Sequence, residues 1–398
     1  MSIDLQDQPA DPAEYLPAPP RPSTQTASTT SLGQYGTSTT YSSDLASVID
    51  FVSSRGFIFE PWQIATYVTA VRTKPFVILA GVSGTGKSAL PKLIADATGA
   101  SITTVPVRPD WHDSSDLLGF ERLDGSFQPG HLLRMAAKAQ RDPDGQYFFV
   151  LDEMNIARPE YYFAEVLSRM EQSGALAQGQ SSQPLRPEAS GNSPEGVPWN
   201  EVLLPANLAI VGSVNMDETT FGFSRKVLDR AFVIEFSEID LSRVGDGDGT
   251  VVLGLPWSSR DWARAATTLA QHPERHDALV AQVVSTLEDL NQLLAGCQLQ
   301  FGYRVRDEIA LFCLAARTAE EAFQTDDGGA VGALDLAISM KVLPRVQGSG
   351  VSIERLLDEL AKWAHPKSDD SPAFPVSGQR IDMMRARLTE TGFTNYWI

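Results

Sequence analysis

The sequence is short of the residues that build disulfide frameworks and metal cages. Its 398 residues include two cysteines, Cys297 and Cys313, and five histidines. The cysteines form no CxxC pair and lie in apolar or helical context. They read as small buried hydrophobes of a reducing compartment. The histidines have no ligand-like spacing, which excludes a histidine-based metal centre. Long apolar runs are missing as well. None approaches the ~18 residues of a membrane-spanning helix, and the acidic start MSIDLQDQPADPAEYL lacks the apolar core of a signal peptide. A cytoplasmic protein with no membrane association is expected. Positive charge is also scarce. A formal net charge of −18 excludes a broadly basic nucleic-acid surface, although it leaves room for a few Lys and Arg lining a pore.

What is present is enough for a large core and for two or three structural units. Residues 1–42 are rich in Pro, Ser, Thr and Gln and have few aliphatics, so they are expected to form a disordered tail. From Ser43 the apolar residues recur at helical spacing, and a second helix is expected from Pro61 to about Arg72. Short apolar runs then alternate with helical patterns. Strands are expected at 75–81, 102–107, 146–153, 207–215 and 231–236, and helices at 87–98, 131–140 and 159–171. Residues 173–200, rich in Gly, Ser, Gln and Pro, read as a long surface insertion. Alternating strands and helices imply an α/β fold with a five-stranded parallel sheet covered on both faces, a three-layer arrangement. After an acidic, Gly-rich loop (245–250) the pattern is almost wholly helical, at 258–271, 275–295, 305–322, 332–343, 351–364 and 378–390. The expected division is a tail (1–42), an α/β nucleotide-binding domain (43–240) and an all-helical C-terminal domain (241–398).

The chemistry is concentrated in the α/β half. Gly81-Val82-Ser83-Gly84-Thr85-Gly86-Lys87-Ser88 fits GxxxxGK[ST], between a buried strand and a helix. The glycines let successive backbone N–H groups point at phosphate oxygens, and the helix N-terminus adds partial positive charge. Lys87 should reach the β- and γ-phosphates and Ser88 should ligate Mg²⁺. The third strand ends in Asp152-Glu153. Two adjacent carboxylates there have no packing rationale, whereas a metal and an attacking water provide one: Asp152 holds Mg²⁺ and Glu153 acts as general base. Asn215, at the tip of the fourth strand, is placed to bond the γ-phosphate and the water. Arg230 stands just before the fifth strand and is the candidate finger for a neighbouring subunit's γ-phosphate. Arg225 reads either as a second phosphate contact or as an interface salt bridge. Trp111, in the loop after the second strand, either grips a partner or pins its own loop.

The segments VPVRPDWHDSSDLLGF, VLDEMNIARPEYYFAEVLSRME, PANLAIVGSVNMDETTFGFSRKVLDRAFVIEF, FGYRVRDEI and KVLPRVQGSG resemble McrB-type AAA+ proteins over roughly residues 45–350. These are motor subunits of modification-dependent restriction systems and their relatives. The resemblance implies a P-loop AAA+ fold with a helical lid and a hexameric ring of identical subunits. It also implies a separate McrC-type partner that carries the nuclease. It carries the nucleotide role to Gly81 through Ser88, the metal and base roles to Asp152 and Glu153, the sensor role to Asn215 and the trans finger to Arg230. Arg304 in FGYRVRDEI is a further candidate contact with the nucleotide, and Arg306 is its rival. Lys341 and Arg345 are assigned ion pairs within the lid and no catalytic role.

Two features depart from that family. The stretch Val214-Asn215-Met216-Asp217-Glu218-Thr219 keeps the Asn but not the rest of the MNTADR-like signature of the GTP-using members, so ATP is the expected nucleotide and GTP the alternative. Upstream of the first helix there are only about 42 polar residues, fewer than a methylated-DNA-reading domain needs. No PD…ExK-like nuclease cluster follows the motor. Contact with DNA is therefore expected only through a partner or the pore. A MoxR-type chaperone that remodels a protein client shares the same P-loop chemistry, as does a nucleotide-gated scaffold with little turnover.

Overall fold

The computed structural model describes residues 38–173, 183–215, 222–237, 241–242, 252–366 and 374–397. The expectations for the N-terminal tail before residue 38, for 216–221 and for the 245–250 loop fall outside them. The expected apolar runs become strands: β1 (Phe76–Gly81), β2 (Ser101–Pro106), β5 (Tyr147–Asp152), β6 (Leu208–Asn215) and β7 (Phe232–Phe236). They form one parallel sheet in the order β2-β5-β6-β1-β7. Every residue of β1 is buried, as befits an interior strand covered on both faces, while β2 at the edge is largely accessible. Two small antiparallel pairs were not legible in the pattern: β3 (Phe120–Glu121) with β4 (Phe127–Gln128), and β8 (Gly348–Ser349) with β9 (Phe393–Thr394).

Helix α1 (Ser38–Ser54) begins ahead of the expected start at Ser43. Helix α2 (Pro61–Thr73) opens on proline, and the Gln63 side chain accepts from the Glu60 N–H at 2.9 Å. Helix α3 (Ala89–Thr98) follows the glycine-rich loop and stops at Gly99, whose φ of +71° provides the left-handed cap. Then come α4 (Ser115–Leu118) and α5 (His131–Arg141). The single helix expected over 159–171 is broken at Phe163 into α6 (Pro159–Tyr162) and α7 (Ala164–Ser173). Short α8 (Arg225–Leu228) precedes β7. The C-terminal part contributes α9 (Ala278–Ala295), α10 (Tyr303–Arg317), α11 (Ala333–Lys341), α12 (Val351–Ala364) and α13 (Pro375–Thr391).

Residues 258–271 are not the expected helix. They form turns that end in a 3-10 turn at Leu269–Gln271. Trp257 and Trp262 are buried with ring centroids 5.0 Å apart, and Trp262 meets Phe148 of β5 edge-on at 5.2 Å. The Trp257 and Ser259 N–H groups donate to the carbonyls of Thr98 and Asp144, both at 2.8 Å. Pinning the tryptophans to the sheet outweighs the helical pattern. The described part of the 173–200 insertion is likewise anchored, through buried Leu185, Ala189 and Trp199.

The helical part is bolted to the base of the sheet. Lys341 at the end of α11 is fully buried; its Nζ lies 2.6 Å from Glu308 Oε2 and donates to the Ala231 carbonyl at 2.8 Å and the Asp229 carbonyl at 3.3 Å. Lys74, two residues before β1, pairs with the other Glu308 oxygen at 2.9 Å. Burial alone would push the Glu308 carboxyl up, but the ammoniums of Lys341 and Lys74 overcome it and hold the group at about 2. Arg345 pairs with Asp229 at 2.9 Å and donates to the Gln300 carbonyl at 2.8 Å. The expected ion pairing within the lid holds for Lys341, which meets Glu308, and is corrected for Arg345, whose partner Asp229 lies in the α/β half; Lys341 also reaches that half through the two carbonyls. Arg380 of α13 pairs with Glu235 of β7. Among the described residues, no helix is long and apolar enough to cross a membrane.

Candidate active site

The glycine-rich loop leaves β1 at Gly81, whose φ of +144° and close approach to β7 require glycine: a Cβ there would collide with the Phe236 carbonyl. At Gly86 (φ +84°) a Cβ would stand 2.8 Å from the Phe59 ring, which is itself edge-on to Phe236. The loop folds over its own lysine. Lys87 Nζ donates to the Val82 carbonyl at 2.5 Å, and Thr85 Oγ1 donates to the same oxygen at 3.0 Å. Gly81 through Ser88 thus form one continuous turn, with Val82, Ser83, Gly84 and Ser88 open to solvent.

Burial lowers the Lys87 pKa, and the Asp152 carboxylate opposes that shift. Bound phosphates would favour the ammonium further. Nucleotide affinity is therefore expected to weaken as pH rises through the lowered lysine pKa, before an ordinary lysine would titrate near 10.5. Titrations with a fluorescent nucleotide between neutral and alkaline pH check this, and a flat profile would contradict it.

The acidic pair sits where the sheet brings it to that loop. Strand β6 lies between β1 and β5, yet Ser88 Oγ reaches across to donate to Asp152 Oδ1 at 2.7 Å. Ser213 Oγ of β6 donates to the same oxygen at 2.5 Å and accepts from the Glu153 N–H at 3.0 Å. Glu153 adopts φ +54°, a left-handed conformation unusual for a residue with a side chain. Its Oε1 accepts from Asn215 Nδ2 at 2.9 Å. Ser88, Asp152, Ser213, Glu153 and Asn215 are therefore one hydrogen-bonded constellation, and the Lys87 ammonium, held by the Val82 carbonyl, lies within electrostatic reach of Asp152. Among the described residues, no cluster of three or more His, Cys, Asp or Glu provides a metal cage. A hydroxyl and a carboxylate oxygen in direct contact fit Mg²⁺, which takes one or two protein ligands and completes its shell with phosphate oxygens and water.

The arginines lie elsewhere. Gly81 and Phe236 are register partners, so the loop is at the C-terminal end of the strands, whereas Arg230 precedes the N-terminal end of β7. Arg230 donates to Glu171 Oε2 and to the Lys226 carbonyl, both at 2.6 Å. Arg304 donates to Glu171 Oε1 at 3.1 Å, which groups it with Arg230 and not with the chain's own phosphate loop. Arg225 donates to the Gln298 carbonyl at 3.4 Å, and Arg306 pairs with its neighbour Asp307 at 2.6 Å.

Ser213, Asn155 and Glu171 escaped the reading of the sequence. Ser213 is two residues before Asn215 and so shares its face of the strand, a signal that was available. Asn155 is buried and donates to the Asn215 carbonyl at 3.4 Å. Trp111 is 3% exposed and packs on Tyr162 with centroids 5.3 Å apart, so it pins its own loop. Both cysteines are unpaired, and burial pushes the Cys313 thiol up to about 12.

No curated protein matches the chain. Among solved structures, a candidate ATPase from Cytophaga hutchinsonii aligns at 14% identity and a TM-score of 0.47, over 77% of this chain and 88% of that one. Residues 256–393 match a domain of unknown function (DUF8727). Residues 76–187 match the AAA domain of the dynein-related subfamily. That match runs from β1 past β5 and takes in the phosphate loop and the Asp152–Glu153 pair. Over residues 76–187 the chain is thus similar to an AAA domain, and the residues that meet at the phosphate loop lie within or beside that segment.

Proposed function

We propose that the chain is a ring-forming ATPase subunit whose site is completed by Arg230 of the next subunit. One observation carries this reading. Arg230 lies six residues before Phe236, the partner of Gly81. At ~3.3 Å per residue of strand it is roughly 15–20 Å from its own loop, farther than an arginine side chain spans. Only a heterologous, ring-closing contact brings it to a phosphate. In such a site Lys87 and the loop amides bind the phosphates, and Ser88 and Asp152 hold Mg²⁺. Glu153 accepts the proton of the attacking water while Asn215 fixes its carboxylate. Mg²⁺, when bound, supplies positive charge against the phosphate oxygens. Exposed Phe57 and Ile58 lie next to Phe59 beside the loop and offer apolar surface to a purine base.

The finer assignment, a hexameric McrB-type motor that drives a McrC-like nuclease in restriction or phage defence, rests on the sequence segments that resemble that family. DNA then reaches this chain only through the partner or the pore. Phosphate release with ATP and with GTP, recorded together with mass by light scattering, tests the nucleotide and the assembly. Mixing tests the trans site. Lys87→Ala and Arg230→Ala subunits should each be near background alone. In a randomly mixed ring, roughly a quarter of the interfaces pair an intact loop with an intact finger, and up to that share of wild-type turnover should return. A mixture that stays at background contradicts the proposal.

A further inference from the structure

We infer that the cavity between the outer edge of β7 and the C-terminal helices binds a small, uncharged, planar heterocycle of nucleoside size. The inference is independent of the ring reading. The cavity has a volume of about 320 Å³ and is walled by α2, β7, α11 and α13. Sites for small organic ligands span roughly 300–1,000 Å³, so this one holds a ring system and little more. Its charged lining residues, Glu235 and Arg380, pair with each other. That cancellation disfavours a phosphate, a carboxylate or an ammonium as the occupant. Trp62 of α2, with Met340 of α11 and Met383 of α13, supplies the flat and polarisable surface that suits an aromatic ring.

The polar groups of the cavity are those of a sheet edge. Strand β7 ends the sheet and pairs with β1 on one side. Backbone groups along a strand alternate between its two sides. The Phe236 carbonyl lies against Gly81 of β1, so the backbone groups of Val233 and Glu235 face outward. The Ala231 carbonyl, in the same phase, does so and takes Lys341 at 2.8 Å. Val233 and Glu235 line the cavity, and no described hydrogen bond fills their outward groups. Each presents an acceptor and a donor side by side, a pattern that another strand or the edge of a nucleobase completes. A second observation comes from the opposite wall. Thr66 of α2 also lines the cavity; it is fully buried, and its hydroxyl has no hydrogen-bond partner. A buried hydroxyl left unpaired is costly, and a polar ring atom in the cavity would pair it.

Calorimetric titration of the full chain tests the site. Adenosine, inosine, cytidine and thymidine are the probes, since none carries a phosphate, and ADP with Mg²⁺ is present in excess to occupy the phosphate loop. At least one nucleoside should bind once per chain with a dissociation constant of about 0.1 mM or tighter, the affinity ordinary for a ligand of that size. Met383 and Gln379 stand one turn apart on α13 at the mouth of the cavity, both exposed. Met383→Trp should block the mouth and weaken nucleoside binding at least tenfold while the melting temperature stays unchanged. Gln379→Trp does the same should the first variant fold poorly. Thr66→Val, which removes the unpaired hydroxyl and keeps the shape, should weaken binding several-fold. Failure of all four nucleosides to bind overturns the inference. So does binding that survives both mouth variants, which would place the nucleoside elsewhere, or binding that ADP abolishes, which would place it at the phosphate loop.

Discussion

Glu153→Gln should leave nucleotide binding intact and cut steady-state phosphate release by about 10²- to 10⁴-fold, the usual contribution of a positioned general base. The change is nearly isosteric and keeps an oxygen for the 2.9 Å bond from Asn215 Nδ2. What it removes is the capacity to take a proton from water. The contacts of Ser88 and Ser213 with Asp152 do not involve the Glu153 side chain, so phosphate and metal binding should persist. The variant should therefore trap the nucleotide-bound assembly, visible as a stable high mass in light scattering with nucleotide and Mg²⁺. Lys87→Ala should differ by losing binding itself. Turnover near the wild-type rate in Glu153→Gln would remove Glu153 from the mechanism and would favour a scaffold with another source of hydrolysis.

Glu308→Gln should destabilise the fold by about 3–5 kcal/mol, because it strands two buried ammoniums. Lys341 is fully buried and Lys74 is nearly so, and both lean on this carboxylate. The denaturant midpoint should fall accordingly, and Lys341→Met in the same background should recover part of the loss. The acid limb carries a second signature. Glu308 is held at about 2 in the folded chain, against 4.5 in its ordinary state. A depressed carboxylate stabilises the fold above its unfolded pKa, and that contribution is lost as pH falls toward the folded value. The wild type should thus lose stability between those limits, and Glu308→Gln should show a shallower acid limb there. Equal slopes in the two proteins would mean that Glu308 is not the ion pair's anion.

The sequence disclosed most where function depends on adjacent residues. The phosphate loop is a contiguous octet with a strand before it and a helix after it, and Asp152–Glu153 closes an apolar run; both needed only local pattern. The five-strand parallel sheet followed from the same alternation. Strand order did not, since β6 enters between β1 and β5 only through long crossovers. What remained hidden depends on distant parts of the chain. Glu171 and Arg304 are 133 residues apart, and their meeting is decided by how the helical part folds back on the base of the sheet. The 258–271 segment was misread for a related reason. Its periodicity is that of a helix, but Trp257 and Trp262 lose more water-exposed apolar surface by wedging against β5 than a helix would keep in hydrogen bonds.

The knot of Lys74, Glu308 and Lys341 has a mechanical consequence. It fastens the root of β1, the first turns of α10 and the end of α11 to the turn that carries Arg230. A hinge at that seam would have to tear ammonium from carboxylate inside a dry interior. The body should accordingly move as a single rocker, with its phosphate loop at one end of the sheet and Arg230 at the other. If such bodies assemble into the proposed ring, tilting one of them to grip a nucleotide at its own loop would re-aim Arg230 at the opposite end. Successive sites would then fire in an order set by leverage between neighbours and not by flexing within any one of them.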